Sequence, residues 1–313
     1  MIILLMMDKQ TILRDIYNNP VREIVECNIR DLFKEQSNIH EALRYTLCLD
    51  DEVLKLTFEY NKRMRPFLIW LWSKAAELKQ DNIFWELATV VELIHQSTLP
   101  ADDIQDNSDI RCWRDALWKK AWINTTIDLI LLLAASGPTY YAKTLRKDKD
   151  GRLHDYSDFL QSTLNYLISW QELDLKADKR WRSIEKNYFE IADGKTWALI
   201  NLALHFWTMP YDSLYSTEKS KALTKFSMIF ARLYQIMDDV KDIKDVEVWE
   251  EWAKLDSSNI YYYVDQKTEK LNDLWKILCK ELFNSHNELK GLWIVKNDGI
   301  LNVVNILIPE NII

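Results

Sequence analysis

The 313-residue chain contains only five glycines. At an average usage of about 7%, roughly 22 would be expected. Tight hairpins and phosphate-cradling loops need backbone at positive φ, which glycine adopts at the least steric cost. Proline is also scarce, at six. This shortage argues against a β-sandwich, a dinucleotide-binding α/β fold and a P-loop domain, and neither GxGxxG nor GxxxxGK[ST] occurs. What remains is an all-α protein with short connections. A second oddity accompanies the first: the chain carries 14 tryptophans.

No low-complexity stretch or composition shift divides the chain, so residues 1–313 read as a single large helical domain. Forty basic residues against 48 acidic ones give a net charge of -8. That balance disfavours a nucleic-acid or anionic-membrane partner. Cys27, Cys48, Cys112 and Cys279 are far apart, without a CxxC pair. A reducing, cytoplasmic setting is therefore expected. The opening MIILLMMDKQ lacks the basic and cleavage regions of a secretory signal. The apolar run Leu129–Ala135 is about a third of the roughly 20 residues a membrane span requires, so no stable membrane insertion is expected.

Apolar residues recur at three- and four-residue spacing along most of the chain. The pattern predicts helices near 8–47, 50–78, 82–112, 117–137, 155–175, 180–208, 217–245 and 266–288, and no strands. Gly137-Pro138 reads as a helix stop, and the charged 145–154 segment as a loop.

One short pattern occurs twice. Asp102-Asp103-Ile104-Gln105-Asp106 has the form DDxxD, and Asp238-Asp239-Val240-Lys241-Asp242 repeats it. Positions i and i+4 share a helical face, so Asp102 pairs with Asp106 and Asp238 with Asp242. Each motif comes after an apolar segment, Val90–Ile94 or Phe226–Met237, and is expected at a helix end. Clustered carboxylates repel one another unless a cation lies between them, and hard oxygen donors favour Mg²⁺, which typically bridges to substrate phosphates. Two such faces opposed across a bundle suit a metal-bound diphosphate; two solvated acidic helix ends are the plain alternative. Basic groups accompany them. Asn61-Lys62-Arg63-Met64-Arg65-Pro66 precedes the apolar Phe67–Trp72, His95 lies before the first motif, and Arg111 and Arg114 come after it. Lys195-Thr196 interrupts an apolar stretch, where a lysine is costly unless it reaches water or an anion. Glu92 and His95 form a single ExxH, the spacing of a di-iron bundle, but no convincing second copy accompanies it.

Five segments, NKRMRP (61–66), LIHQSTLPADDIQDNSDIRCWRDALW (93–118), WQELDL (170–175), GKTWALI (194–200) and YQIMDDVKD (234–242), together resemble the trans-isoprenyl diphosphate synthase (polyprenyl synthetase) family. The resemblance runs from about residue 58 to 245. It implies an all-α bundle around a deep central cavity, usually a homodimer. It also implies head-to-tail condensation of an allylic diphosphate with isopentenyl diphosphate. Asp102, Asp103, Asp106, Asp238 and Asp242 would ligate Mg²⁺, three ions, with Asp239 supporting them. Arg111, Lys195 and Gln235 would meet the allylic diphosphate. Lys62, Arg65 and His95 would hold isopentenyl diphosphate. Thr196 and Gln171 would line the site, Asp174 would stand behind it, and Tyr234 is a candidate to face a carbocation. Bulky residues four and five positions before the first motif limit product length in this family. Here those positions hold the small Thr98 and Ser97, implying a product of C20 or longer.

The chain departs from the family's pattern where isopentenyl diphosphate would bind. Cys112 and Trp113 replace an arginine and a glycine, Asn61 and Trp170 replace two further glycines, and Arg114 is a candidate substitute cation. A terpene cyclase on the same scaffold, ionising a prenyl diphosphate without isopentenyl diphosphate, is the alternative. A non-catalytic partner subunit fits less well, because both aspartate motifs are intact. Lys62, Arg65 and His95 favour elongation.

Overall fold

Two kinds of helix make up the protein, apolar all round or on one face only. The computed structural model describes residues 20–35, 39–48, 63–111, 114–148, 155–176, 188–190, 193–208, 216–249, 259–260 and 268–301. Asn61, Lys62, Cys112 and Trp113 lie outside the described residues, as do the side chains of Asp174, Lys195 and Asp242. In chain order the main elements are α1 (Pro20–Phe33), α2 (His40–Thr46), α3 (Met64–Ala75), α4 (Asn82–Gln105), β1 (Ile110–Arg111), β2 (Arg114–Asp115), α5 (Leu117–Lys120), α6 (Ile123–Lys147) and α7 (Ser157–Lys176). A π-helical turn (Asp193–Trp197), α8 (Ala198–Phe206), α9 (Thr217–Trp249) and α10 (Thr268–Gly291) complete the order.

The helices that are apolar all round lie inside. Every residue of α8 is buried, as is most of α3 and the continuous stretch Leu87–Ile94 of α4. Trp72 of α3 stacks on Trp207 at 5.9 Å and meets Phe226 of α9 edge-on at 4.9 Å. Each apolar side chain fully buried in this way contributes roughly 1.5–3 kcal/mol. Part of the tryptophan excess is explained here: Trp72, Trp207 and Trp275 are core residues.

One cation of the 61–66 cluster turns into this core. Arg63 adopts a left-handed backbone (φ 45) before α3. Its guanidinium donates to Glu92 Oε1 at 2.8 Å, Glu26 Oε1 at 3.2 Å and the Leu47 carbonyl at 2.6 Å. Burial opposes its charge, but Glu92 and Glu26 outweigh that and hold it protonated. The ExxH glutamate is therefore a structural counter-ion. Losing one partner of such a buried pair costs about 3–5 kcal/mol.

Three expectations are corrected. Gly137-Pro138 does not stop a helix, because α6 continues through it to Lys147. The glycine serves a close crossing instead: a Cβ there would lie 2.6 Å from Ile94 Cγ1 of α4. The packing of α6 along α4 maintains the helix where Pro138 withholds a hydrogen bond. The second aspartate motif lies within α9, not at its end. A two-residue antiparallel ladder, Ile110↔Asp115 and Arg111↔Arg114, appears where no strand was predicted.

Candidate active site

Helix α4 starts with Asp81, whose side chain accepts from the Phe84 N–H at 3.1 Å. It runs for 24 residues, about 36 Å at 1.5 Å per residue, and ends on the first aspartate motif. Asp103 is buried, Asp102 half-buried and Asp106 exposed. Carboxylates are unfavourable at a helix C-terminus, where the backbone dipole is negative. The β1–β2 ladder supplies a counter-charge: Arg111 Nε donates to both Asp103 oxygens, at 2.7 and 2.8 Å, and Nη2 lies 2.7 Å from Oδ1. Asp103 thus holds Arg111 beside the motif.

The second motif faces a hydrogen-bond chain. Thr196 Oγ1 donates to Gln235 Oε1 at 2.7 Å, and Gln235 Nε2 donates to Asp239 Oδ1 at 2.8 Å. Asp239 Oδ2 accepts from Tyr188 OH at 2.8 Å and from the Ile260 N–H at 2.7 Å. The order of donors fixes the orientation of the Gln235 amide. Burial raises the Asp239 carboxyl to about 7, against the three hydrogen bonds that favour its anion. Asp238, one residue earlier, is exposed.

Arg65 is within electrostatic reach of both motifs. Its Nη1 is 2.7 Å from His95 Nε2. Arginine only donates, so Nε2 accepts and the imidazole proton sits on Nδ1. Burial first, then Arg65, Arg111 and Arg63, hold the His95 pKa well below the usual histidine range, so the ring is neutral. Burial also lowers the Arg65 pKa, while Tyr234, Glu92, Asp102 and Asp238 oppose that shift. One guanidinium thus feels a carboxylate from each motif. Burial and Asp238 keep the Tyr234 phenol protonated, Arg65 acting in the opposite sense. Arg65 Nε and His95 Nδ1 are buried without a hydrogen-bond partner among the described residues. Two N–H donors are therefore left for an acceptor.

The remaining candidates are dispersed around this centre. Gln171 Nε2 donates to Gln105 Oε1 at 2.8 Å, linking α7 to the end of α4. Ser97 and Thr98 bond back along α4, to the Ile94 and His95 carbonyls at 2.7 and 2.9 Å. Arg114, the candidate substitute cation, packs against α2, with Nη1 buried and without a hydrogen-bond partner among the described residues. It stacks over the Tyr45 ring at 4.1 Å and donates to the Tyr45 carbonyl and Cys48 Sγ. Among the described residues no three Asp, Glu, His or Cys side chains already converge as a metal cluster. Sequence reasoning missed Tyr188, the Asn259 side chain and the Ile260 N–H, whose partner Asp239 is 51, 20 and 21 positions away.

Residues 49–250 match the polyprenyl synthetase family. Geranylgeranyl diphosphate synthase of Methanosarcina mazei is 30% identical over 190 residues, 58% of this chain and 55% of that protein. Short chain isoprenyl diphosphate synthase of Methanocaldococcus jannaschii is 27% identical over 218 residues, 66% of this chain and 62% of that protein. The chain thus spans less than two thirds of the length of these curated relatives. The solved geranyltransferase from Legionella pneumophila has a TM-score of 0.72 at 19% identity, covering 96% of each chain. Geranylgeranyl pyrophosphate synthetase from Geoglobus acetivorans gives 0.66 at 18% identity, over 94% of this chain and 99% of that one. At these identities the likeness establishes the all-α fold.

Proposed function

Since the chain belongs to the polyprenyl synthetase family, we propose that it is a prenyltransferase that condenses an allylic diphosphate with isopentenyl diphosphate. The observation that carries this reading is the Arg65–His95 pair. Its two buried donors lack protein partners among the described residues, and its guanidinium feels both aspartate motifs. A cyclase needs one diphosphate site, whereas elongation needs two. The Arg65 and His95 N–H groups supply the second, beside the aspartates that would serve the first.

The donor set fits Mg²⁺. Asp102 and Asp106 at the α4 terminus and Asp238 on α9 offer hard oxygen atoms, with Asp103 and Asp242 proposed beside them. Bound Mg²⁺ would neutralise the departing allylic diphosphate. Arg111, steadied by Asp103, adds positive charge on that side. Thr196 and Gln235 present a fixed hydrogen-bonding edge, and the Tyr234 phenol offers an aromatic face to a carbocation. Lys62, Lys195 and Gln171 complete the proposed substrate contacts.

Small side chains at Ser97 and Thr98 support a product of C20 or longer, as does the name of the Methanosarcina relative. The proposed assembly is a homodimer. Trp122, Ile123, Ile127 and Leu131 expose an apolar stripe along α6, Trp122 at 81%, more than solvent favours on one helix face. Among the described residues no helix is long and apolar enough to cross a membrane. The proposed setting is a reducing cytoplasm, as the far-apart cysteines without a CxxC pair suggest.

Replacing Arg65 tests the assignment. Loss of a hydrogen bond to a charged group is worth about 1.5–3 kcal/mol, or roughly tenfold to a hundredfold in affinity. Arg65→Gln is expected to raise KM for isopentenyl diphosphate by that factor and to leave KM for the allylic partner within about threefold. Equal rises in both would refute a separate second site.

A further inference from the structure

The π turn that carries Lys195 and Thr196 is gripped at four of its five residues. Arg232 Nε and Nη2 hold both oxygens of Asp193, at 2.8 and 2.6 Å. Thr196 donates to Gln235. The Trp197 indole N–H donates to Ser227 Oγ at 2.8 Å, and its ring meets Tyr166 of α7 at 5.6 Å. The fourth grip is steric. A Cβ built on Gly194 would lie 2.2 Å from Trp170 Cβ, 2.3 Å from its Cγ and 2.9 Å from its Cδ1. Trp170 in turn packs on Tyr166 at 5.9 Å. Its backbone-proximal atoms therefore occupy the space of any side chain at position 194.

A π turn is wider than an α turn, has poorer internal geometry, and occurs mostly as short segments at functional sites. It persists where surrounding contacts determine it. The extra residue changes the rotation about the helix axis relative to a continuous α-helix, and so determines which face Lys195 and Thr196 present. We propose that Trp170 and Gly194 are an interlocked pair that positions this turn, and with it the grip of Lys195 and Thr196 on the allylic diphosphate. Trp170 is a positioning residue: it acts through the glycine and needs no contact with substrate. The proposal rests on the prenyltransferase reading and adds to it residues that act from outside the diphosphate site.

The contact geometry dictates the test. The clash begins at Trp170 Cβ, so Trp170→Gly can make room for an alanine at 194, whereas Trp170→Ala cannot. Gly194→Ala is expected to lower kcat at least tenfold and raise KM for the allylic substrate, with KM for isopentenyl diphosphate little changed. Adding Trp170→Gly is expected to restore most of the loss, and adding Trp170→Ala is not. Thermal unfolding of each variant separates misplacement from instability. If Gly194→Ala alone fails to fold, the two double variants carry the comparison. Calorimetric binding of inorganic pyrophosphate with Mg²⁺ reads the turn without chemistry and should show the same order. A folded Gly194→Ala protein with unaltered allylic kinetics and pyrophosphate affinity overturns the proposal, and so does equal rescue by Trp170→Ala. If the unmodified protein neither elongates nor binds pyrophosphate, the prenyltransferase reading itself fails, and this inference with it.

Discussion

Arg63 and Arg65 are two residues apart and do opposite work. Side chains at i and i+2 do not share a helical face, and the left-handed φ of Arg63 turns its guanidinium into a buried acidic pair. Arg65, inside the first turn of α3, meets His95. The sequence cluster showed that cations were present but not which of them was a core counter-ion. The aspartates were easier to read, because paired carboxylates at fixed helical spacing carry their chemistry locally. Asp102→Ala and Asp238→Ala are each expected to cut turnover by about a thousandfold, since charge stabilisation in a dry site is a large catalytic term. Circular dichroism should show the helices intact, and near-normal turnover in both would refute their role.

A second residue-scale expectation concerns pH. His286 is fully buried against Phe226. Burial lowers its pKa to about 4, with Asp298 opposing and Lys290 adding to the shift. The unfolded ring takes up a proton near pH 6.5, while the folded ring stays neutral to about 4. Acid therefore favours the unfolded chain, and stability is lost as pH falls from about 6.5 towards 4. Between pH 7.5 and 5 this residue alone removes about 2 kcal/mol. Urea unfolding at the two pH values should show a flatter dependence in His286→Phe; an unchanged slope would contradict the assignment.

At the scale of elements, periodicity identified α4, α7 and α9, because their apolar positions recur along long stretches. It failed at Gly137-Pro138, where a local stop signal competes with packing that comes from 43 residues earlier in the chain, at Ile94. The turn at 193–197 was equally hidden, since what maintains it lies on α7 and α9. Gly137→Ala is expected to push α6 away from α4 and cost about 1–3 kcal/mol, the usual range for overpacking. Chemical denaturation measures it, and a neutral effect would mean that the crossing is looser than the 2.6 Å approach implies.

Across the whole molecule, the shortage of glycine and the excess of tryptophan are linked. The protein is a helical bundle in which positive φ is taken among the described residues by Cys48, Arg63, Glu77, Asn107, Trp122 and Trp293 rather than by glycine, and other tryptophans fill the core and pack around the π turn. The family was legible because two spaced aspartate motifs fall in order with their basic companions. The proposed second diphosphate site was only half legible, because Cys112 breaks the family's pattern, and Arg114, two positions on, packs on Tyr45 and Cys48. Among the described residues, the proposal rests there on the Arg65–His95 pair. The central claim is that this pair serves elongation. It is tested most directly by incubating the protein with Mg²⁺ and geranyl, farnesyl or geranylgeranyl diphosphate, each with and without isopentenyl diphosphate, and weighing the products by mass spectrometry. The expected result is longer prenyl diphosphates, C20 or beyond, formed only when isopentenyl diphosphate is present. Hydrocarbon or alcohol formed equally without it, and no extended diphosphate with it, would contradict the account.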